Sequence, residues 1–329
     1  MNILEAYCLE LGYTLDIYAA QRAYFAQPEG QRQRFHFLCS EDTCRAQNVI
    51  VAGVNYHRLA DESNKFRQMH FKAIHTSPHD PSCRWNMATE EPGAPPPSEE
   101  DVRIKIPRAK ETDVIDVFSP RTSDQVAKTP GGQSGPASRP PLDDPERNRD
   151  DRDQNFNREG QSRTSLLEKF IDCWRNIEGE ALKEHYVTIL GQRLSYRQAV
   201  TQVQWVRPED SGKRIVYGSA RVSLWPNEKP TKVYINFIDH CENVEPYNGS
   251  KTLVIDLPLN RIERHHSAGL LLAKIKESCA PKRYVQVFAW GTIEPHHRSG
   301  YQIKLESLDN LVLKVRESGA KDNARTTNS

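Results

Sequence analysis

Alternating apolar and polar positions dominate the second half of the chain and predict strands there. RIVYGSARVSLW (214–225) alternates over its whole length, TKVYINFI (231–238) follows, and then KTLVIDL (251–257). YVQVFAWGTIE (284–294) and YQIKLES (301–307) repeat the period of two, separated by the turn-rich PHHRSG, and LVLKV (311–315) adds a last short strand. Two segments change to helical spacing. In SLLEKFIDCWRNI (165–177), Leu166, Leu167, Phe170, Ile171, Trp174 and Ile177 fall at i, i+3, i+4 intervals, which predicts an amphipathic helix. HSAGLLLAKIKESC (266–279) is also helical, with Ser267 as its cap, and a short helix over 195–203 would start at Ser195. Towards the N-terminus the first 27 residues mix apolar and aromatic residues at helical spacing. Strand-like FHFLC (35–39), AQNVIVAGV (46–54) and a run from Arg67 to Ile74 follow.

Between these regions the composition shifts. EEPGAPPPSEE and KTPGGQSGPASRPPLDDPERNRDDRDQNFNREGQS hold too little apolar surface to offset chain entropy. Residues 89–163 therefore read as a disordered tether that could also engage a protein partner. Inside it, Val102, Ile104 and Ile106 mark an island expected to dock as a strand. A mean hydropathy of −0.73 with 37% hydrophobic residues agrees with a partly disordered chain. The fold class expected is α+β multidomain: a small zinc-binding module at 1–88, the linker at 89–163, an OB-like β-barrel with flanking helices at 164–317, and a disordered tail at 318–329. Net charge is +1, so any nucleic-acid or membrane signal must be local. No apolar run approaches the roughly 20 residues that cross a bilayer. The acidic start lacks a signal-peptide n-region. Seven scattered cysteines argue against a disulfide framework, and a cytoplasmic location follows as the expectation.

Cys39 and Cys44, then a stretch containing His70, His75 and His79, then Cys83, form a metal-ligand constellation. Thiolates and an imidazole brought to about 2.0–2.3 Å of one ion make a structural zinc site. The fourth ligand is one of the three histidines, and spacing does not choose among them. Cys8, Cys173, Cys241 and Cys279 stand alone and read as ordinary buried thiols.

FHFLCSEDTC, NVIVAGVNYHRL and MHFKAIHTSPHDPSC together resemble the zinc-ribbon-like N-terminal region of the competence-protein CoiA-like family over about residues 19–85. The order of Cys pair, HF-containing segment and Cys is shared, with four residues rather than two between the cysteines. The resemblance implies DNA-related work and a bacterial or mobile-element setting. CoiA-like proteins also carry a nuclease, which needs an Asp after one strand and Glu-x-Lys or Glu-x-Gln on the next to hold Mg²⁺ and orient water. Asp239 and Asp256 lie on strands, but the nearby Glu-x-Gln is Glu159-Gly160-Gln161 in the tether. His265-His266 and His296-His297 read as solvated loop residues. No P-loop, Gly-x-Gly-x-x-Gly or Gly-x-Ser-x-Gly occurs. The chain therefore reads as non-catalytic, with a divergent metal-dependent nuclease as the rival.

The order strand, strand, strand, helix, strand, strand resembles an OB-fold in pattern. Val216, Gly218, Ala220, Val222 and Leu224 share one face, and Tyr217, Arg221 and Trp225 the other. Lys232 and Tyr234 continue the outer face on the next strand, and Lys304 lies outside on a later one. Rings interleaved with cations suit single-stranded nucleic acid, because bases stack and phosphates are neutralised. Tyr217, Arg221, Trp225, Lys232, Tyr234 and Lys304 are the nucleic-acid-binding candidates, with single-stranded DNA the favoured partner. Tyr284, Phe288 and Trp290 suit packing beneath a helix. The competing use of the aromatic face is as a peptide-binding adaptor.

Overall fold

The computed structural model describes residues 3–59, 68–86, 114–124, 162–177, 179–206, 212–241, 252–297 and 300–317. The expected disordered linker falls largely outside them, as do the tail and the island at Val102, Ile104 and Ile106. The described chain divides into two compact units, one built on residues 3–57 and 68–86 and the other on 117–124 and 164–317.

The first unit is a five-stranded sheet. β1 (Glu5–Cys8) and β2 (Tyr13–Asp16) form a hairpin that turns at Gly12, whose φ of +76° suits a residue without Cβ. α1 (Ile17–Ala26) follows at once, capped by Asp16, whose Oδ1 accepts from the Ala19 amide at 2.7 Å. The helical reading of the first 27 residues therefore holds only from Ile17. Ahead of it, buried Ala6 and Cys8 alternate with half-buried neighbours, which is a strand pattern. β3 (Phe37–Cys39), α2 (Asp42–Ala46), β4 (Ile50–Val54) and β5 (His70–Ala73) complete the unit. The sheet runs β2-β1-β3-β4-β5, antiparallel throughout. Phe37, Tyr56 and Phe71 are buried at its centre, with Phe37 edge-on to both other rings.

The second unit opens with β6 (Val117–Phe118), β7 (Arg163–Thr164) and α3 (Leu167–Asn176). After α4 (Ala181–Glu184) comes the hairpin β8 (Tyr186–Ile189) and β9 (Gln192–Ser195), which hydropathy alone did not reveal. Its turn is tight, with Leu190 and Gly191 both at positive φ. These strands form a ladder in the order β7-β6-β8-β9. Ser195 then caps α5 (Tyr196–Ala199) in a reciprocal capping box with Gln198. The helix stops short of Val203, because Val200 and Thr201 pass into β10 (Val200–Gln202).

Five long strands then close a barrel. β11 (Arg214–Trp225) pairs with β12 (Lys232–His240), and β12 pairs with β13 (Thr252–Pro258). α6 (Leu259–Glu263) and α7 (Ala268–Ser278) lead to β14 (Arg283–His296) and β15 (Gly300–Lys304). β15 joins β13 in parallel and β14 antiparallel, and β14 returns to β11, so the ring reads β11-β12-β13-β15-β14. β10 lies parallel on β11, and β16 (Leu311–Glu317) extends β14.

Val216, Ala220, Val233, Ile235, Ile255 and Val287 fill the barrel, as the alternation predicts. Gly218 is a packing requirement, because a Cβ there would meet Val203 Cγ1 at 2.9 Å and Phe237 Cδ1 at 3.0 Å. Gly291 stands where β14 exchanges β11 for β15, against the Lys304 carbonyl. Outside the barrel, Phe118 stacks on Phe170 and meets Trp290 edge-on. Phe288 is fully buried against Trp174, so of the aromatic positions expected to pack beneath a helix α3 covers Phe288, while Trp290 packs on Phe118. No helix among the described residues is long and apolar enough to cross a membrane.

Candidate metal centre and barrel face

Cys39 ends β3 and Cys44 lies in α2, so the four intervening residues make the turn from strand to helix. The Cys39 amide donates to Val49 O at 2.9 Å, and the Val49 amide donates to Cys44 O at 2.9 Å, which folds the two cysteines onto each other. His79 and Cys83 come from the segment after β5, where Cys83 N donates to Asp80 O at 2.9 Å. The donor atoms of Cys39, Cys44, His79 and Cys83 all lie within 4.8 Å of one another. Cys39 Sγ is 3.6 Å from Cys83 Sγ, and His79 Nδ1 is 3.4 Å from Cys83 Sγ and 3.8 Å from Cys44 Sγ. A tetrahedral ion with metal–sulfur bonds of about 2.3 Å and a metal–nitrogen bond of about 2.0 Å would set these edges near 3.5–3.8 Å. The geometry fits a four-coordinate metal.

Hydrogen bonding favours the thiolate form that a metal ligand needs. Cys44 Sγ accepts from the Asp80 amide at 3.2 Å and Cys83 Sγ from the Trp85 amide at 3.4 Å, and the Glu41 amide serves Cys39. Each sulfur thus receives one backbone N–H, an arrangement that stabilises thiolate over thiol. Burial pushes the Cys39 and Cys83 thiols up and holds the His79 pKa down. With no cation beside them, three buried thiolates would be costly. Arg84 pairs with Glu5 and Glu41 and lies over the Trp85 ring, while Trp85 Nε1 donates to Ser40 Oγ at 2.8 Å and closes the site from one side. These supporting groups escaped the sequence reading. Their only signal was position, one and two residues beyond Cys83 and one beyond Cys39. Of the three candidate histidines the structure brings in His79 alone. His70 Nδ1 lies 2.7 Å from Gln68 O, and His75 is exposed.

The barrel candidates separate into groups. Arg221 faces Asn236, Ser223 faces Tyr234 and Trp225 faces Lys232 across the β11–β12 ladder. Arg221 is exposed and Trp225 is 50% exposed. Tyr217 is elsewhere: its ring stacks on Phe288 with centroids 5.6 Å apart and tilts against Trp174 at 5.5 Å, beneath α3. Lys232 Nζ lies 2.9 Å from Asp256 Oδ2 and 5.8 Å from the Tyr234 ring. The carboxylate raises the Lys232 pKa above the ordinary lysine value. Lys304, on β15, is exposed and 3.6 Å from Glu294.

Each histidine pair holds one exposed and one buried ring: His266 and His297 are exposed in turns, as expected of loop residues, whereas His265 and His296 are buried with carboxylates 3.8–3.9 Å away. His265, His266 and Asp309 bring three ligand-type atoms together, but the local chemistry is that of an ion network. The Ser267 amide donates to His265 Nδ1 at 3.2 Å, leaving the proton of the neutral ring on Nε2, which faces Asp124 and Asp309 at 3.9 and 3.8 Å. Arg261 and Arg121 neutralise those two carboxylates at 2.6 and 3.4 Å. Cys279 is exposed, contrary to its reading as a buried thiol; it lies one residue past the end of α7.

No family model matches the chain, and comparison with curated proteins and with solved structures finds no match either.

Proposed function

We propose that this protein binds single-stranded nucleic acid, with DNA the favoured partner, through the outer face of β11 and β12, and that it does so without catalysis. The barrel is read as OB-like because its ring order β11-β12-β13-β15-β14, with α6 and α7 entering between the third and fourth strands, is the strand-and-helix sequence of that fold. The observation that carries the reading is the half-exposed Trp225 ring and the exposed Arg221 on the same face of β11, in a ladder shared with Tyr234. A base stacked on such a ring contributes about 1–3 kcal/mol, and a guanidinium neutralises phosphate. Zinc in the Cys39, Cys44, His79, Cys83 cage acts structurally, holding the chain after β5 against β3 and α2. The residues fit it: four soft or borderline donors with edges of tetrahedral length.

Fluorescence anisotropy with labelled oligo-dT across a salt series tests the binding reading. The expected result is affinity that falls steeply with salt, weakened about tenfold by Trp225→Ala and with a shallower salt slope for Arg221→Ala. Wild-type affinity in both folded variants would refute the assigned face.

A further inference from the structure

The outer face of β11 continues past Arg221 onto two further strands. β11 and β14 stay in register as far as Ala220 opposite Val285, both of which fill the barrel. Arg221 and Tyr284 are the next residues along each strand and so lie on its outer side. Cys279 Sγ donates to Val222 O at 3.7 Å, which holds the turn ahead of β14 against β11 just beyond Arg221. Tyr284 faces Arg316 on β16, and Arg221 faces Asn236 on β12. One row across the sheet therefore reads Asn236, Arg221, Tyr284, Arg316, with a ring between two guanidiniums. Strands lie about 4.8 Å apart, so the row spans about 14 Å. Phe288 is buried beneath α3, whereas Tyr284, four residues nearer the start of β14, is only half-buried. Arg316 is half-buried too, and its Nη2 donates to Gln286 Oε1 at 3.4 Å, which lays the guanidinium over the same side. Neighbouring cations are neutralised: Arg283 by Glu277 and Glu317 at 3.3 and 3.1 Å, and Lys314 by Glu168 and Asp172 at 3.0 and 3.1 Å. Arg221 is exposed and makes no ion pair with a described residue.

We propose that the nucleic-acid site runs on from β11–β12 across this row, with a base stacked on Tyr284 and the phosphates on either side of it held by Arg221 and Arg316; this deepens the nucleic-acid reading above and rests on it. Along β11 the face is closed at Tyr217 by Trp174 of α3. A strand that enters at Trp225 and passes Arg221 therefore turns onto β14 and β16, where ring and cation are both at the surface. Stacking tolerates any base, because every base has a π-face, and the guanidiniums act on phosphate alone. The extension thus adds length and salt dependence to the site rather than sequence preference. Trp225 and Tyr234 serve a short oligomer, and Tyr284 and Arg316 are engaged only by a longer one. Sites of about 4–16 nucleotides are usual on barrels of this size.

The test compares the full chain with Tyr284→Leu, which keeps apolar bulk and loses the ring, and with Arg316→Gln. Both variants are checked for fold by circular dichroism, and binding is measured on labelled oligo-dT of about 4 and about 12 nucleotides, lengths that bracket much of the usual range, across a salt series. Tyr284→Leu weakens the longer oligomer about tenfold and leaves the shorter one unchanged. Arg316→Gln lowers the slope of log affinity against log salt by about 0.7 on the longer oligomer, as loss of one phosphate contact requires. Wild-type behaviour of either variant on the longer oligomer overturns the inference and leaves the β11–β12 reading standing. Equal losses on both lengths mark a general disturbance of the face and also overturn it. Binding of neither oligomer by the wild type refutes the underlying reading itself.

Discussion

Among the metal-centre histidines, position relative to the cysteines separates His79 from His70 and His75 where spacing did not. His70 lies on β5 and turns to Gln68 O, whereas His79 immediately precedes the Asp80–Cys83 turn that carries Cys83. His79→Ala should lose bound zinc, and His70→Ala and His75→Ala should keep one equivalent, as read by native mass spectrometry. A second prediction concerns pH. Burial holds the His265 pKa down to about 4, while an unfolded chain binds that proton near 6.5. Its contribution is therefore complete above about pH 6.5 and is lost as pH falls towards 4, amounting to roughly 3 kcal/mol over the interval. Urea titrations at stepped pH should show the loss, and His265→Asn should flatten it. At this scale the cysteines were legible because three thiols in a short segment are uncommon. The burial of His265 and His296 was not, since the groups packed around them, Asp124 and Asp309 at one and Asp256 at the other, arrive from distant parts of the chain.

Elements built on a clean period of two could be read almost residue by residue. RIVYGSARVSLW coincides with β11, and its inward set of Val216, Gly218 and Ala220 is buried. Short elements between turns were less visible: the β8–β9 hairpin is four residues a side and too brief to establish a period. Tyr217 shows the limit of face assignment, because alternation says which side of a strand a ring occupies and not whether a helix covers that side. Gly291 offers a test of barrel closure. A methyl group there would press on the Lys304 carbonyl, which is backbone and cannot rotate aside. Gly291→Ala should cost at least about 2 kcal/mol, measured as a fall in the denaturation midpoint of the barrel. Gly218→Ala meets only side chains, Val203 and Phe237, and should cost less.

For the whole molecule, composition separated a tether-like middle from two structured ends, and the described residues fall into two compact units. If zinc secures only the first, chelation should abolish one thermal transition and leave that of the barrel in place, as followed by calorimetry with and without chelator. Topology was legible as an order of strands and helices. Closure was expected only through the likeness of that order to an OB-fold, because the return of β14 to β11 joins residues about 70 positions apart with no local signature. The proposed binding face is carried by the β11–β12 pairing, which sets Trp225 opposite Lys232 and Ser223 opposite Tyr234. Photo-crosslinking a single-stranded DNA oligomer with 5-iodouracil substitutions to the full chain, then mapping the modified peptides, tests the face most directly. Adducts concentrated at Trp225 and Tyr234 are predicted; adducts confined to the cysteine-rich unit, or none at all, would contradict the account.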